Sequence, residues 1–259
     1  SSALLAGALF LVRTAPNTWW IWVTVLISSV SLLLTFVSPY LIEPLFNKLE
    51  PLEVEGLSDR IRAMTEKAGV HVGRVLKLDA SRRSSHSNAY FTGLGRVKRV
   101  VIFDTLLAQM SHAQVLAVLA HELGHWKKHH ILVRMLVMQI VLIVGAYVAF
   151  VLAQSSALPG LVGLSTASFA ARMLILMLAA SALTFPLTPL MSAWSRRDER
   201  EADRFAVDLH GHPHDLADAL AKLGTENLSN LHPHPLYAAF YYSHPPLVER
   251  IGALRALAL

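Results

Sequence analysis

The chain carries at residues 115–125 the stretch VLAVLAHELGH, an apolar helical run that ends in two histidines. Side chains four residues apart lie on the same face of an α-helix, so His121 and His125 can direct imidazole nitrogens at a single ion. Glu122 lies about 100° around the helix from His121, beside such an ion but off the line of its ligands. The stretch therefore predicts a helix that presents a metal site and an adjacent carboxylate.

The spacing H-E-x-x-H is the pattern in which two histidines bind zinc and the glutamate acts as the general base of a metallopeptidase. The chain contains no cysteine, so the ligands must be His, Asp or Glu. A catalytic zinc ion takes three protein ligands and leaves one position for water. His129 and His130 follow Lys127 and Lys128 at the start of an apolar run, and we interpret them as interfacial side chains. The third ligand must therefore come from another part of the chain.

Residues 195–203, SRRDEREAD, offer the candidates for this third ligand. If the stretch is helical, Glu199 and Asp203 share one face because they are four residues apart, and Glu201 points the other way. Glu199 is the predicted ligand. Asp203 could accept the remaining ring N–H of a ligand histidine or donate a proton to a reaction intermediate. A solvated charged helix would show the same pattern, so this stretch alone leaves both interpretations open.

The composition indicates a membrane protein. Hydrophobic residues make up 54% of the 259 residues, the mean hydropathy is +0.45, and charged residues are only 16%. Uncharged or nearly uncharged stretches at 18–38, 131–153 and 169–194 are long enough to cross a bilayer, which needs about 20 residues. Pro186 and Pro189 should kink the third stretch or unwind its last turns.

The three spans divide the chain into four predicted segments. They are an N-terminal transmembrane region with a truncated start (1–38), the first part of a peptidase domain (39–130), two transmembrane helices (131–194) and the second part of the peptidase domain (195–259). The connection 154–168 carries no charge, whereas Lys and Arg flank the opposite ends of the spans. The peptidase domain is therefore expected on the cytoplasmic side.

The first polar block is expected to contain a small β-sheet. Its predicted elements are an amphipathic helix at 57–68 and strands at 75–78, 88–92 and 97–103. Gly93-Leu94-Gly95 would join the last two strands tightly. Ser111 followed by Gln114 resembles a capping box and predicts that the histidine-bearing helix begins there. The predicted fold class is thus a predominantly α, multi-span membrane protein with a zincin-type α+β peptidase domain.

Both halves of the predicted metal site, with three further segments, resemble the type I CAAX prenyl endopeptidases, which are multi-span membrane zinc proteases related to the HtpX-like proteases. The resemblance runs from about residue 39 to the C-terminus. The matching segments are SSHSNAYFTG at 84–93, FDTL at 103–106, HELGH at 121–125, S-R-x-x-E-x-x-A-D at 195–203 and SHPP at 243–246. The resemblance implies one zinc ion per chain, held by His121, His125 and Glu199, and Glu122 as the catalytic glutamate.

The resemblance also implies roles for residues outside HELGH. Asp203 matches an acidic residue beside the site, and His244 matches a histidine that approaches it. His244 is the expected stabiliser of negative charge on the scissile carbonyl oxygen, with a buried structural histidine as the alternative. Asn88, Ala89 and Tyr90 are the expected substrate-binding residues, because an exposed strand edge there would pair with an extended peptide. An ordinary hairpin is the alternative.

The leading interpretation is a zinc endopeptidase that cleaves near the C-terminus of membrane-associated or prenylated peptides and proteins. The bilayer is an expected partner. Nucleic acid is not, because the basic residues flank apolar spans and no groove-reading motif appears. An HtpX-like quality-control protease is the alternative among enzymes. A catalytically silent scaffold with structural zinc is the alternative of another class, although it would have no need of Glu122. Few ionisable residues lie in the spans, which disfavours a transporter.

Overall fold

The computed structural model of the chain describes residues 2–93, 97–226 and 228–257. The chain folds into two compact units, each built from segments far apart in sequence. The first unit comprises Ser1–Thr35 and Leu132–Thr188. The second unit comprises Phe36–Ile131 and Pro189–Leu259.

The elements confirm the predicted fold class, which is mostly helical with one small sheet. The first are α1 (Ser2–Thr14), α2 (Trp19–Val37), α3 (Glu43–Phe46), β1 (Leu49–Pro51), α4 (Leu57–Lys67) and β2 (His71–Leu78). Next come β3 (Ala89–Thr92), β4 (Val97–Phe103), α5 (Asp104–Gln109), α6 (His112–Lys127) and α7 (His130–Gln154). The last are α8 (Ala157–Gly160), α9 (Phe169–Thr184), α10 (Thr188–His210), α11 (Pro213–Glu226), α12 (Pro235–Tyr241) and α13 (Leu247–Ala256).

Three helical stretches within the described residues are long and apolar enough to cross a membrane, as the sequence predicts. They are Trp19–Phe46, His130–Gln154 and Phe169–His210. In the first unit, Trp19 packs edge to face on Phe150 and on Phe169, with ring centroids 5.9 Å apart in each case. Aromatic pairs in this geometry, together with side-chain hydrogen bonds between helices, hold helices together where both helix surfaces and lipid are apolar.

The third span is interrupted where its prolines lie. A single 3₁₀ turn at Phe185–Leu187 separates α9 from α10, because Pro186 and Pro189 lack the N–H groups that a continuous α-helix would use. Beyond this turn α10 continues without a break from apolar sequence into the charged stretch 195–203. The candidate third ligand therefore lies on a helix, which is the condition under which Glu199 and Asp203 share one face.

The sheet has the strand order β1-β2-β4-β3, with β2 and β4 parallel and the outer pairs antiparallel. Strand β2 begins four residues before the predicted strand, because an irregularity between Val72 and Arg74 breaks the alternating pattern on which the prediction relied. The strand β1 was not predicted. The predicted connection Gly93-Leu94-Gly95 falls mostly outside the described residues. The sheet places β3 at an edge.

Helix α6 is buried on nearly all sides, and this fixes the direction of the metal-site histidines. The predicted capping box forms, since Ser111 Oγ accepts the N–H of Gln114 and Gln114 Oε1 accepts the N–H of Ser111. Leu119 packs in the cluster that also holds residues of the sheet and α4. On another side, Ala120 packs in the cluster formed with α11 and α13. With its start and its faces fixed, α6 has little freedom to rotate about its axis.

Candidate metal centre

The three predicted ligands meet where α6 and α10 pack together. The Nε2 atoms of His121 and His125 lie 3.2 Å apart. Oε1 of Glu199 lies 3.3 Å from His125 Nε2, and Oε2 of Glu199 lies 3.5 Å from His121 Nε2. His121 and Glu199 are buried, and His125 is partly buried. The three side chains thus form one group that could hold a metal ion.

The close approach of α10 to α6 depends on Gly124, inside the HELGH stretch. A Cβ atom at this position would lie 3.0 Å from Cα and 3.2 Å from the carbonyl oxygen of Ala202, which is three residues after Glu199. Both contacts are to backbone atoms, so α10 itself would have to move. The glycine therefore sets the distance between the two helices that carry the ligands.

We expect Gly124→Ala to destabilise the protein by about 1–3 kcal/mol, because overpacked contacts force the backbone to shift. The same shift should weaken metal binding, since it moves Glu199 away from the two histidines. Gly252→Ala on α13 is the matched control, because a Cβ there meets nothing within 4 Å. Unfolding in denaturant and metal affinity would be measured for both variants. Equal stability of the two would contradict the close-packing role.

Asp203 and Arg250 surround the outer side of His121. Oδ1 of Asp203 lies 2.8 Å from His121 Nδ1. Arg250 donates from Nε and Nη2 to the two carboxylate oxygens of Asp203, at 2.8 and 2.6 Å. Its Nη1 lies 3.1 Å from Glu199 Oε2. Arg250 is only 7% exposed. It was not predicted as a site residue, because a single arginine in a short helix gives no signal of a contact 47 residues away.

Glu122 is partly buried on α6, next to the ligand pair and not among the group of three. Burial raises the pKa of its carboxyl group, against the opposing influence of His121 and His125. A carboxylate with a raised pKa is a better proton acceptor near neutral pH than an ordinary glutamate.

His244 reaches the same site from the segment before α13. Its Nδ1 lies 2.9 Å from Glu199 Oε2, and its side chain is 65% exposed. The alternative of a buried structural histidine is therefore wrong. Arg196 on α10 anchors this segment, because its Nη1 donates to the carbonyl oxygens of Ala238, Ala239 and Tyr242 at the end of α12. An arginine at a helix C-terminus satisfies carbonyls that lack a helical partner.

The predicted substrate strand, β3, has an unpaired outer edge among the described residues. The N–H of Phe103 donates to the carbonyl of Asn88, and hydrogen-bonded pairs alternate along an antiparallel ladder. Tyr90 therefore directs its backbone groups toward β4, whereas Ala89 and Phe91 direct theirs outward. The Asn88 side-chain oxygen accepts the outward N–H of Ala89 at 2.8 Å. The hydroxyl of Tyr90 is hydrogen-bonded to a glutamate at the end of the first span.

His130 also lies at the site, and its position was not predicted from the sequence. Only 8% of its surface is exposed, so the interpretation as an interfacial side chain is wrong for this residue. Its Nδ1 lies 3.0 Å from Nδ1 of His125. His129 is exposed, and its φ of 57° lies in the left-handed region, which ends the helical conformation between α6 and α7. The turn brings His130 back beside the ligand pair.

Comparison with known proteins places this site in a family. Residues 51–258 match peptidase family M48, and residues 1–48 match the family described as CAAX prenyl protease N-terminal, five membrane helices. The chain is 36% identical over 254 residues to the CAAX prenyl protease 1 homolog of Arabidopsis thaliana, with 97% of this chain and 59% of the relative covered. It is also 36% identical over 254 residues to CAAX prenyl protease 1 of Saccharomyces cerevisiae, with coverage of 91% and 55%.

The crystal structure of S. mikatae Ste24p has the same fold, with a TM-score of 0.86 and 32% identity over 98% of this chain and 62% of that one. The chain thus spans less than two thirds of the length of each of these relatives. The matches confirm the resemblance to the CAAX prenyl endopeptidases, and the apolar helices together with the N-terminal family match indicate an integral membrane protein. The geometry of the candidate metal centre agrees with the family match, and the chain belongs to peptidase family M48.

Proposed function

We propose that the protein is a zinc-dependent endopeptidase of the CAAX prenyl protease type, acting on peptides or proteins at the membrane. The observation that carries this proposal is the convergence of His121, His125 and Glu199 with Glu122 beside them. The membership of family M48 implies a metal ion, and the ligand chemistry favours zinc, with one ion per chain. The proposed domain organisation is the one predicted from the sequence, with the two parts of the peptidase domain (39–130 and 195–259) joined through residues 131–194.

The ligand set fits zinc in spacing and in chemistry. Zinc binds histidine nitrogen and carboxylate oxygen at about 2.0–2.1 Å, so tetrahedral ligand atoms lie about 3.3 Å apart. The observed distances within the group are 3.2, 3.3 and 3.5 Å. Glu199 is also buried and is held by Arg250 and His244, whose nitrogens lie 3.1 and 2.9 Å from Oε2. The carboxylate is thus kept charged and in place, as a metal ligand must be.

Three residues of the chain are proposed to carry out the steps that the metal does not. A zinc ion held here would supply Lewis acidity, which makes water more acidic and polarises a carbonyl group. Glu122 is placed to accept the proton of the attacking water and to return it to the leaving amine. His244 can donate a hydrogen bond to the carbonyl oxygen as negative charge grows on it. Both oxygens of Asp203 are engaged by Arg250 and His121, which favours a positioning role over proton delivery for this residue.

The outer edge of β3 is the proposed substrate-binding strand. A peptide paired there in extended form would bond with the outward carbonyl of Ala89 and with the outward N–H and carbonyl of Phe91. The oxygen of the Asn88 side chain accepts from Ala89, and no described residue accepts from its two side-chain N–H groups, which could donate to a substrate carbonyl. Tyr90 would support the strand through its side chain and would not pair with the peptide. The proposed site thus keeps Asn88 and Ala89 from the sequence prediction and adds Phe91.

The prenylated substrate and the cytoplasmic orientation are proposed on separate grounds. The relatives named CAAX prenyl protease 1 support a prenylated C-terminal peptide as substrate. The basic residues Lys127, Lys128, Arg196 and Arg197 near the span ends support a cytoplasmic peptidase domain. An HtpX-like activity on damaged membrane proteins is the alternative, and it would not require a lipid on the substrate.

Cleavage of a farnesylated CAAX peptide and of its unprenylated twin tests the proposal, with the zinc content measured on the same sample. We expect zinc at one ion per chain, cleavage that a chelator abolishes, and faster cleavage of the farnesylated peptide. Equal rates for the two peptides would contradict the lipid-specific part. Absence of cleavage in a zinc-loaded, folded sample would favour the scaffold alternative.

Zinc affinity is expected to weaken as the pH falls below about 9. Burial lowers the pKa of His121, but hydrogen bonding to Asp203 and Glu199 outweighs burial and raises this pKa to about 9. Below that pH the metal-free protein holds a proton on His121 that zinc must displace, so Kd should rise about tenfold per pH unit. Competition titrations with a chelator at pH 7 and pH 8 would measure this change in the Kd for zinc. A Kd that does not change over this interval would contradict the prediction.

A further inference from the structure

His130 stands between a proposed metal ligand and two carboxylates. One of its ring nitrogens, Nδ1, lies 3.0 Å from Nδ1 of His125. The other, Nε2, lies 3.5 Å from Oε2 of Glu201 and 3.9 Å from Oδ1 of Asp198. Glu201 is itself paired with Lys128 at 3.1 Å. This buried imidazole lies outside the proposed ligand set, and none of the chemistry described above uses it.

The geometry indicates which ring nitrogens of His125 and His130 carry a proton. Two Nδ1 atoms at hydrogen-bond distance share a single proton, so one ring donates and the other accepts. His125 directs Nε2 at His121 and Glu199, and a histidine that binds a metal through Nε2 carries its proton on Nδ1. His125 is therefore the donor. His130 accepts at Nδ1 and carries its own proton on Nε2, the atom that faces the carboxylate of Glu201.

The fold, and not the helical repeat, brings the two rings together. His130 follows His125 by five residues, which on a continuous helix would place it about 140° around the axis. Helix α6 ends at Lys127, His129 adopts the left-handed conformation, and the next helix begins at His130, so the three residues do not continue one helix. His130 is thereby folded against the end of α6.

We propose that His130 is a positioning residue that holds His125 in the tautomer and ring orientation needed to bind the metal. His121 has its own acceptor in Asp203, so each ligand imidazole is oriented by a separate hydrogen-bonded partner. Partners of this kind raise the basicity of the ligand and restrict ring rotation. The role of His130 depends on the proposed function, in which His125 is a metal ligand.

The test compares two replacements of His130 in the full chain, purified in detergent. His130→Leu removes the acceptor, whereas His130→Gln keeps one in its side-chain oxygen. The readout is the zinc dissociation constant, measured by competition with a chromophoric chelator. We expect His130→Leu to weaken zinc binding about 10–100-fold and His130→Gln to recover part of that loss. His129→Asn, an exposed neighbour whose new side chain tolerates a positive φ, should bind zinc like the parent.

The outcomes distinguish three explanations: loss of the hydrogen bond, a change in packing, and a wrong assignment of His125 as a ligand. Parental affinity in His130→Leu would overturn the positioning role, and so would equal losses in the Leu and Gln variants. His125→Ala is measured in parallel. If that variant keeps parental affinity, the ligand assignment in the proposed function is wrong. If it loses zinc while His130→Leu does not, only the positioning role is wrong. Should His130→Leu fail to fold, His130→Met, with its weak acceptor, takes its place in the same comparison.

Discussion

Glu122→Gln is expected to lower kcat for peptide cleavage by a factor of about 10²–10⁴, the usual contribution of a general base. The amide is almost the same size as the carboxylate but cannot accept the proton that the attacking water must lose. Zinc content should stay at the parental level, because Glu122 is not one of the three ligand side chains. Initial cleavage rates at saturating peptide, together with metal analysis, measure both quantities.

The matched control is Glu66→Gln, which removes the charge of an exposed glutamate on α4. It should leave cleavage unchanged. If Glu122→Gln cleaved at the parental rate, Glu122 would not be the base, and the scaffold with structural zinc would gain support. If Glu122→Gln lost its zinc as well as its activity, the loss of activity would no longer identify a proton acceptor.

Arg250→Met is expected to cost about 3–5 kcal/mol of stability in the metal-free protein. The guanidinium group contacts both Glu199 and Asp203, and all three side chains are at least 90% buried. Removing one partner of a buried ion pair leaves an uncompensated charge, and this penalty is much larger than the net contribution of the pair. Denaturant unfolding in the presence of a chelator measures the change directly.

The same helix provides the control for Arg250. Arg255 on α13 pairs with Asp218 at 3.7 Å, and both side chains are more than half exposed. Arg255→Met should therefore cost no more than about 1 kcal/mol. Arg250→Lys should be intermediate, since one ammonium group cannot make the forked contacts of a guanidinium. Equal stabilities of Arg250→Met and Arg255→Met would show that Arg250 does not neutralise the buried carboxylates.

The predictions from sequence that agree with the structure depend on local periodicity. The spans follow from runs of apolar residues, and the start of α6 follows from the capping pair Ser111 and Gln114. His121 and His125 lie together because they are four residues apart on one helix. A spacing of four residues also puts Glu199 and Asp203 on one face, because α10 continues as a helix through the charged stretch. Each of these features is set by neighbours within about one or two helical turns.

The features missed from sequence have partners far along the chain or beyond a turn. Arg250 reaches a carboxylate 47 residues away, and Arg196 reaches carbonyl groups more than 40 residues away. His130 is close in sequence to His125, but only the left-handed conformation of His129 brings the rings together. The outward direction of Phe91 follows from strand pairing, which depends on the register with β4. No local pattern encodes these contacts.

Local periodicity accounts for the helices that carry the candidate ligands, for the side chains that share a face, and thus for the residues that could bind a metal. Packing between distant elements accounts for how those side chains are held: Asp203 and Arg250 on one imidazole, His130 on the other, and Gly124 at the crossing of α6 and α10. Helical periodicity is a property of consecutive residues, whereas buried charges and hydrogen bonds are satisfied by whichever groups the packing of distant elements brings within about 3 Å.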